Sequence, residues 1–253
     1  MKQEALESAL TKVPAVTLTF WIIKIFSTTL GETGGDALSM SLNLGYLVST
    51  GIFAAIFLAA VAVQIRATKF HPVIYWTTII ATTTVGTTLA DFADRSLGIG
   101  YAGGTALLVS LLLLSLFTWK HTLGSVSVSS VASPKAEMFY WMTIMFSQTL
   151  GTALGDWTAD TAGLGYEGAA LLFGSALALI AFSYYRTRIS HTVLFWAAFI
   201  LTRPLGAVVG DFLDKPIDHG GLALSRFVAT AALLAAIAAM MVMSKHQPAQ
   251  SHH

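Results

Sequence analysis

The sequence predicts an all-α integral membrane protein, with eight transmembrane helices arranged as four parallel two-helix repeats and both termini in the cytoplasm. Three observations carry that expectation. The chain is 55% hydrophobic and only 11% charged, with a mean hydropathy of +0.70, more apolar surface than a soluble domain of this length hides. One pattern is written four times, opening at Trp21, Trp76, Trp141 and Trp196. Basic and acidic residues also gather at opposite ends of the apolar segments.

The repeat is specific. Ten residues after each Trp stands a glycine, at Gly31, Gly86, Gly151 and Gly206. Four further on comes Gly35, Ala90, Gly155 or Gly210, followed at once by Asp36, Asp91, Asp156 or Asp211. The Trp-to-Trp intervals are 55, 65 and 55 residues, so one unit recurs with an insertion at the centre. A fixed period of this length outranks local motifs as a guide to architecture.

Apolar segments then place spans at about 14–35, 43–65, 72–92, 99–119, 137–157, 166–185, 191–213 and 222–243. Two spans per repeat make every copy enter the membrane in the same sense. Residues 1–120 form a first half with repeats 14–66 and 71–120, and residues 137–245 form a second with repeats 137–186 and 191–245. The Ser-rich 121–136 reads as a flexible link containing Pro134, and 246–253 as a frayed tail with His246, His252 and His253. The start of the chain, with Lys2, Glu4, Glu7 and Lys12, is too polar for a cleavable signal peptide.

Nine of the fourteen basic residues lie at the termini and the even-to-odd connections, among them Lys12, Arg66, Lys120, Arg186 and Lys245. The positive-inside rule puts those ends in the cytoplasm, in a bacterial inner membrane. A net charge of +1 gives no reason to expect nucleic acid. With no cysteine there is no thiolate chemistry or soft-metal thiolate site. No histidine falls at mid-membrane depth, and no Ser/His or metal-His pairing suggests an enzyme.

The paired small residues let helix backbones approach closely in lipid. A carboxylate beside them is drawn inward, because facing lipid is costly. Pseudosymmetry therefore gathers Asp36, Asp91, Asp156 and Asp211 at one depth around an axis or vestibule. The other reading pairs each Asp with Arg95, Lys215 or Arg226 for structure. On the first helix Lys24, Thr28, Glu32 and Asp36 share one face. The level seven residues past each Trp holds Thr28, Thr83, Gln148 and Arg203, all polar and close to mid-bilayer. Lys24 and Arg203 are expected to act as coupling or ion-pair residues, with Glu32 the first partner for Lys24. Pro204 should kink its helix or free a carbonyl. Asp94, Asp160 and Asp214 read as solvated turn residues, and the four motif tryptophans as packing residues rather than interface anchors.

The string Trp21-x9-Gly31-Glu32-Thr33-Gly34-Gly35-Asp36, with its three degenerate copies from Trp21 to about Met243, resembles the bacterial multi-pass "membrane-anchored protein" family. That family is built from a repeat of unknown function, so the resemblance implies architecture and no activity. Glu32-Thr33-Gly34-Gly35-Asp36 is also similar, more loosely, to the Glu-x-Gly-Asp signature of a cation-exchanger family. It has one extra residue and lacks the basic residue after the Asp.

The functional expectation is a secondary transporter, an exporter, for a small hard cation such as manganese or magnesium. An all-oxygen site of Glu32, Asp36, Asp91, Asp156 and Asp211 would hold it, aided by Thr28, Thr83 and Gln148. Protons are a candidate counter-ion. A proton-coupled carrier of a small organic solute, a cation channel, and a non-transporting scaffold or sensor stand as alternatives. The expected partners are membrane lipid and the small cation or solute; no resident cofactor is expected, and a homo-oligomer stays open.

Overall fold

The computed structural model describes residues 11–244 and 247–249. Lys2, Glu4, Glu7, Lys245, His246, His252 and His253, used above for topology and for the tail, lie outside the described residues. Eight long helices follow in order: α1 Leu18–Asp36, α2 Gly45–Arg66, α3 Pro72–Asp91, α4 Tyr101–Leu123, α5 Pro134–Asp156, α6 Gly165–Arg186, α7 His191–Asp214 and α8 Arg226–Met243. No strand occurs among the described residues.

Local chemistry sets the ends. Thr17 accepts a hydrogen bond from the Phe20 amide at the start of α1, and Ser133 accepts one from Ala136 at the start of α5. Both fill backbone donors that an unfinished first turn leaves open. Pro72 and Pro134 stand in first turns, where a missing N–H costs nothing. Gly124 ends α4 with a φ of 77°, a left-handed conformation that suits glycine. Past the motif Asp, the first three repeats each add one π-helical turn: Ala37–Ser41, Phe92–Ser96 and Trp157–Thr161. Repeat four has none. Its α7 runs through Pro204 to Asp214, and Pro216 follows, unable to extend the ladder.

The inner helices α1, α3, α5 and α7 pack side by side in a closed ring, α7 returning to α1. The remaining four lie outside: α2 on α3, α4 on α5, α6 on α7 and α8 on α1. Each second helix thus leans on the first helix of the following repeat and meets its own mainly at the connecting turn. The halves are joined in space through α3–α5 as closely as repeats within a half, so the ring runs unbroken past the insertion.

Burial separates the two layers. Of the apolar window of α3, 72% is buried, against 11% for α2, α6 and α8. Leu58, Phe117, Leu171 and Phe182 on the outer helices are exposed, as lipid contact requires. Among the described residues six helices are long and apolar enough to cross a membrane: α2, α4, α6, α7, α8 and α3 with its π turn. The other two, α1 and α5, are as long but carry more polar residues, and they belong to the enclosed ring.

The glycines set the register of that ring. A Cβ at Gly31 would overlap Thr83, at Gly86 the backbone of Gln148, at Gly151 the stem of Arg203, and at Gly206 Thr28. Each glycine ten past its Trp therefore faces the residue seven past the next Trp, around all four junctions. Numbers rise together on both sides, so neighbouring inner helices are parallel and offset by about three residues. One turn on, Gly35 faces Thr87, Gly155 faces Ala207 and Gly210 faces Glu32.

Below the Trp level the ring is closed by aromatics. Phe20, Tyr75, Tyr140 and Phe195 are buried, and the Tyr75 and Tyr140 hydroxyls lie 2.7 Å apart. Trp76, Trp141 and Trp196 are buried beside them, with Trp21 half-buried. The Ser-rich segment packs against this end instead of hanging free. The Trp196 indole donates to the Val126 carbonyl at 2.9 Å, Thr11 donates to Val128 at 3.0 Å, and Val131 is buried. Lys12 donates to the carbonyls of Gln64, Ile65 and Ala67 at the end of α2 and lies 2.6 Å from Glu137. Gln247 and Ala249 pair with Ala15 and Val13 through two 2.8 Å backbone bonds. The frayed-tail reading is therefore corrected for residues 247–249, because backbone partners were within reach.

Candidate functional site

The repeat brings its acids together. Asp36, Asp91 and Asp156 end α1, α3 and α5, Asp211 stands three residues before the end of α7, and all four are buried. Three bases bridge them. Arg95, on the second π turn, lies 2.9 Å from Asp91 and 3.1 Å from Asp156. Lys215, just past α7, bonds Asp36 and lies 2.9 Å from Asp211. Arg226, opening α8, lies 3.0 Å from Asp214 and 3.8 Å from Asp36. Both sequence readings thus apply at once: the carboxylates are gathered, and they are paired. Asp160 is exposed, as expected of a turn residue, whereas Asp94 and Asp214 are buried and correct that expectation. Asp94 tucks against Gly104 of α4, and Asp214 is held by Arg226.

One turn deeper, Arg203 crosses the ring. Its stem lies over Gly151, where any side chain would collide. Its Nη2 lies 3.0 Å from Glu32 on α1, donates to Thr87 on α3 at 2.6 Å, and also bonds Thr152 on α5. One guanidinium so contacts all three other inner helices, and its exposure is 0%. The expected Lys24–Glu32 pair is absent. Eight residues of helix separate the two by about 12 Å of rise, and Arg203 reaches Glu32 instead. The Lys24 ammonium lies 4.2 Å from the centroid of the Phe199 ring and has no hydrogen-bond partner among the described residues.

Of the five carboxylates expected to share one cation, Glu32, Asp36 and Asp211 place an oxygen each within 4.8 Å of one another. Asp91 and Asp156 stand apart from that trio, with Arg95 between them. One oxygen of Asp36, Oδ1, is buried and unpartnered. Thr28 donates within its own helix or to the Thr202 carbonyl across the α1–α7 contact at 3.1 Å. Thr83 and Gln148 are buried with their side-chain polar atoms unpartnered. Each stands eight residues before its motif Asp, so these two lie below the carboxylates, not beside them.

Sequence reasoning did not assign Thr87 and Thr152 to the site, although they are the repeat equivalents of Glu32. Pseudosymmetry alone could have found them: a cation held by Glu32 near the axis meets whatever occupies the same level on the other helices. Outside the spans, burial alone would lower the Lys215 pKa. The carboxylates of Asp211, Asp36 and Asp214 together outweigh burial and hold it well above the ordinary lysine value.

The family model described as a Repeat of Unknown Function (DUF347) matches residues 19–70, 74–124, 139–190 and 194–246. Four matches cover most of the chain, which therefore belongs to this repeat family. Neither a curated protein nor a solved structure matches it.

Proposed function

We propose that this member of the DUF347 repeat family is a secondary transporter for a small hard cation, an exporter that takes a divalent metal such as manganese or magnesium. All eight helices span a bacterial inner membrane, with both termini cytoplasmic and the carboxylate ring at the outer mouth. Topology rests on the basic loops of the sequence.

The observation that carries the reading is the excess of acid at one mouth. Five buried carboxylates, Asp36, Asp91, Asp156, Asp211 and Asp214, face three bases, Arg95, Lys215 and Arg226. Unneutralised carboxylates in a low-dielectric site are costly, and an arriving cation lowers that cost. Carboxylate oxygens with threonine hydroxyls nearby suit a hard ion. In this arrangement Lys215 and Arg203 act as built-in cations: they hold Asp36, Asp211 and Glu32 until a metal displaces them. Exchange of fixed for mobile charge keeps the trio neutralised in both states. The aromatic layer below Trp76 and Trp141 keeps the opposite end closed, and outward release follows from that geometry.

One observation favours a non-transporting scaffold. Arg203 is fully enclosed and bonded to three helices, which is what a permanent internal tie looks like. Flux separates the two. Purified protein in liposomes should move divalent metal down a gradient, tested with a panel of cations and organic solutes. Asp36→Asn and Glu32→Gln should abolish that movement while leaving the protein folded. Flux of an organic amine alone would replace metal by solute, and no flux of any kind would leave the scaffold.

A further inference from the structure

Beneath Arg203, toward the aromatic layer, lies a second polar group that the carboxylate mouth does not use. Lys24, Ser27, Thr83, Ser147 and Gln148 are each 0% exposed. The Lys24 ammonium, both ends of the Gln148 amide and the three hydroxyls have no partner among the described residues, and neither do Nε and Nη1 of Arg203. Thr83, Gln148 and Arg203 stand at one level of the repeat. Ser27 and Ser147 are one residue before it, and Lys24 one turn before. Lys24 is directed from α1 toward α7, the helix of Arg203, and the two positive charges repel each other.

The balance of charge decides what fits here. Arg203 is neutralised by Glu32 at 3.0 Å. Lys24 has no counter-charge: the aspartates of the ring lie at the far mouth, and Glu137, at the other end of α5, is paired with Lys12 at 2.6 Å. Ordered water could satisfy the stranded donors, yet water leaves the surplus charge in place, and an unpaired buried ammonium is costly. An anion satisfies both. It is offered N–H donors by Lys24, Arg203 and Gln148 and O–H donors by the flanking hydroxyls, with no carboxylate to repel it at that level. Close packing limits its size.

We propose that Lys24, Arg203 and Gln148 form a site at the centre of the ring for a small monovalent inorganic anion of the halide class. The site meets the carboxylate trio only through Arg203, whose Nη2 bonds Glu32, and it stands whether or not the protein moves a cation. Its role is to complete the charge of the membrane core.

Thermal unfolding of the detergent-solubilised protein tests it, with gluconate replaced by bromide or chloride at constant ionic strength. Halide should raise Tm saturably by several degrees, as a ligand of the folded state alone does. Lys24→Met should unfold at a higher temperature than the parent in gluconate and lose the halide response. Gln148→Leu keeps the charge, so it should retain the response with the half-saturating concentration several-fold higher. A parent Tm indifferent to halide overturns the proposal. So does an undiminished response in Lys24→Met, or an equal response to sulfate, since each would mean screening of surface charge.

Discussion

Two levels of the same ring treat charge in opposite ways. At the mouth, acids are in excess, and Asp36, Asp91, Asp156, Asp211 and Asp214 each have a base within 4 Å. At mid-depth, bases are in excess, and Lys24 has no acid at all. The mouth is built from loops and helix ends, where side chains from outside the repeat pattern (Arg95, Lys215, Arg226) can be recruited as partners. Mid-depth offers only what four helices project inward, so a mismatch there persists unless a ligand removes it. Position along the axis, more than residue type, determines whether a buried charge finds a partner within the fold.

The strongest way to break that contrast is to remove the one base at depth that has an acid partner. Arg203→Met strands Glu32 in the ring and should cost about 3–5 kcal/mol, the usual penalty for orphaning a buried charge. Thermal unfolding in detergent reads it. Arg203→Met combined with Glu32→Gln should recover most of the loss, because the orphaned charge is gone. A single variant as stable as the parent would mean that water already reaches Glu32.

Close approach is the next test. A side chain at Gly206 would overlap Thr28, in side chain and backbone alike. Gly206→Val should destabilise by about 1–3 kcal/mol through overpacking, with the α1–α7 contact the first to open. Crosslinking between cysteines placed on α1 and α7 would weaken in parallel.

How much of this was legible beforehand follows from what periodicity can encode. The eight helices fall within a few residues of the expected spans, because length and apolarity set them. The converging aspartates were legible too, since four copies, each beside a small residue and fifteen past its Trp, leave few other arrangements. Partner choice was not. Arg203 rather than Lys24 meets Glu32 because of the offset of about three residues between adjacent helices, and an offset leaves no mark within one repeat. The leaning of α2, α4, α6 and α8 onto the next repeat is equally invisible, for an apolar helix reads the same against either neighbour. Asp94 and Asp214 were misplaced because a loop position in sequence does not reveal that α4 and α8 fold back over it.

At the mouth the effect shrinks, since Lys215 is partly open to solvent, its side chain 12% exposed. Lys215→Met should cost about 1–2 kcal/mol, between the values for exposed and buried charged bonds. Because the folded pKa of Lys215 is raised, its contribution is fully present below the pKa of a lysine in the unfolded chain. It fades only as pH climbs through the raised folded value. Parent and variant should therefore differ in Tm at neutral pH and converge at strongly alkaline pH. If the cation reading holds, the variant also binds divalent metal more tightly, having lost its internal competitor. A difference that vanished near pH 7 would remove Lys215 from the carboxylate pair.

The smallest effect has the opposite sign and comes from outside the ring. Gly174, on outer helix α6, has nothing within 4 Å of where a Cβ would sit. Its role cannot be close approach, so only its backbone freedom remains to be removed. Gly174→Ala should then stabilise by about 0.5–1 kcal/mol, the ordinary gain from replacing a mid-helix glycine. The same exchange at Gly206 should destabilise, because the added methyl meets Thr28. Opposite signs from one chemical change would show that glycine serves the inner helices by absence of volume and is incidental at Gly174. A loss of stability at Gly174 would point instead to a neighbour on that face, such as a second copy of the chain, and native mass spectrometry of the parent would then have to show it.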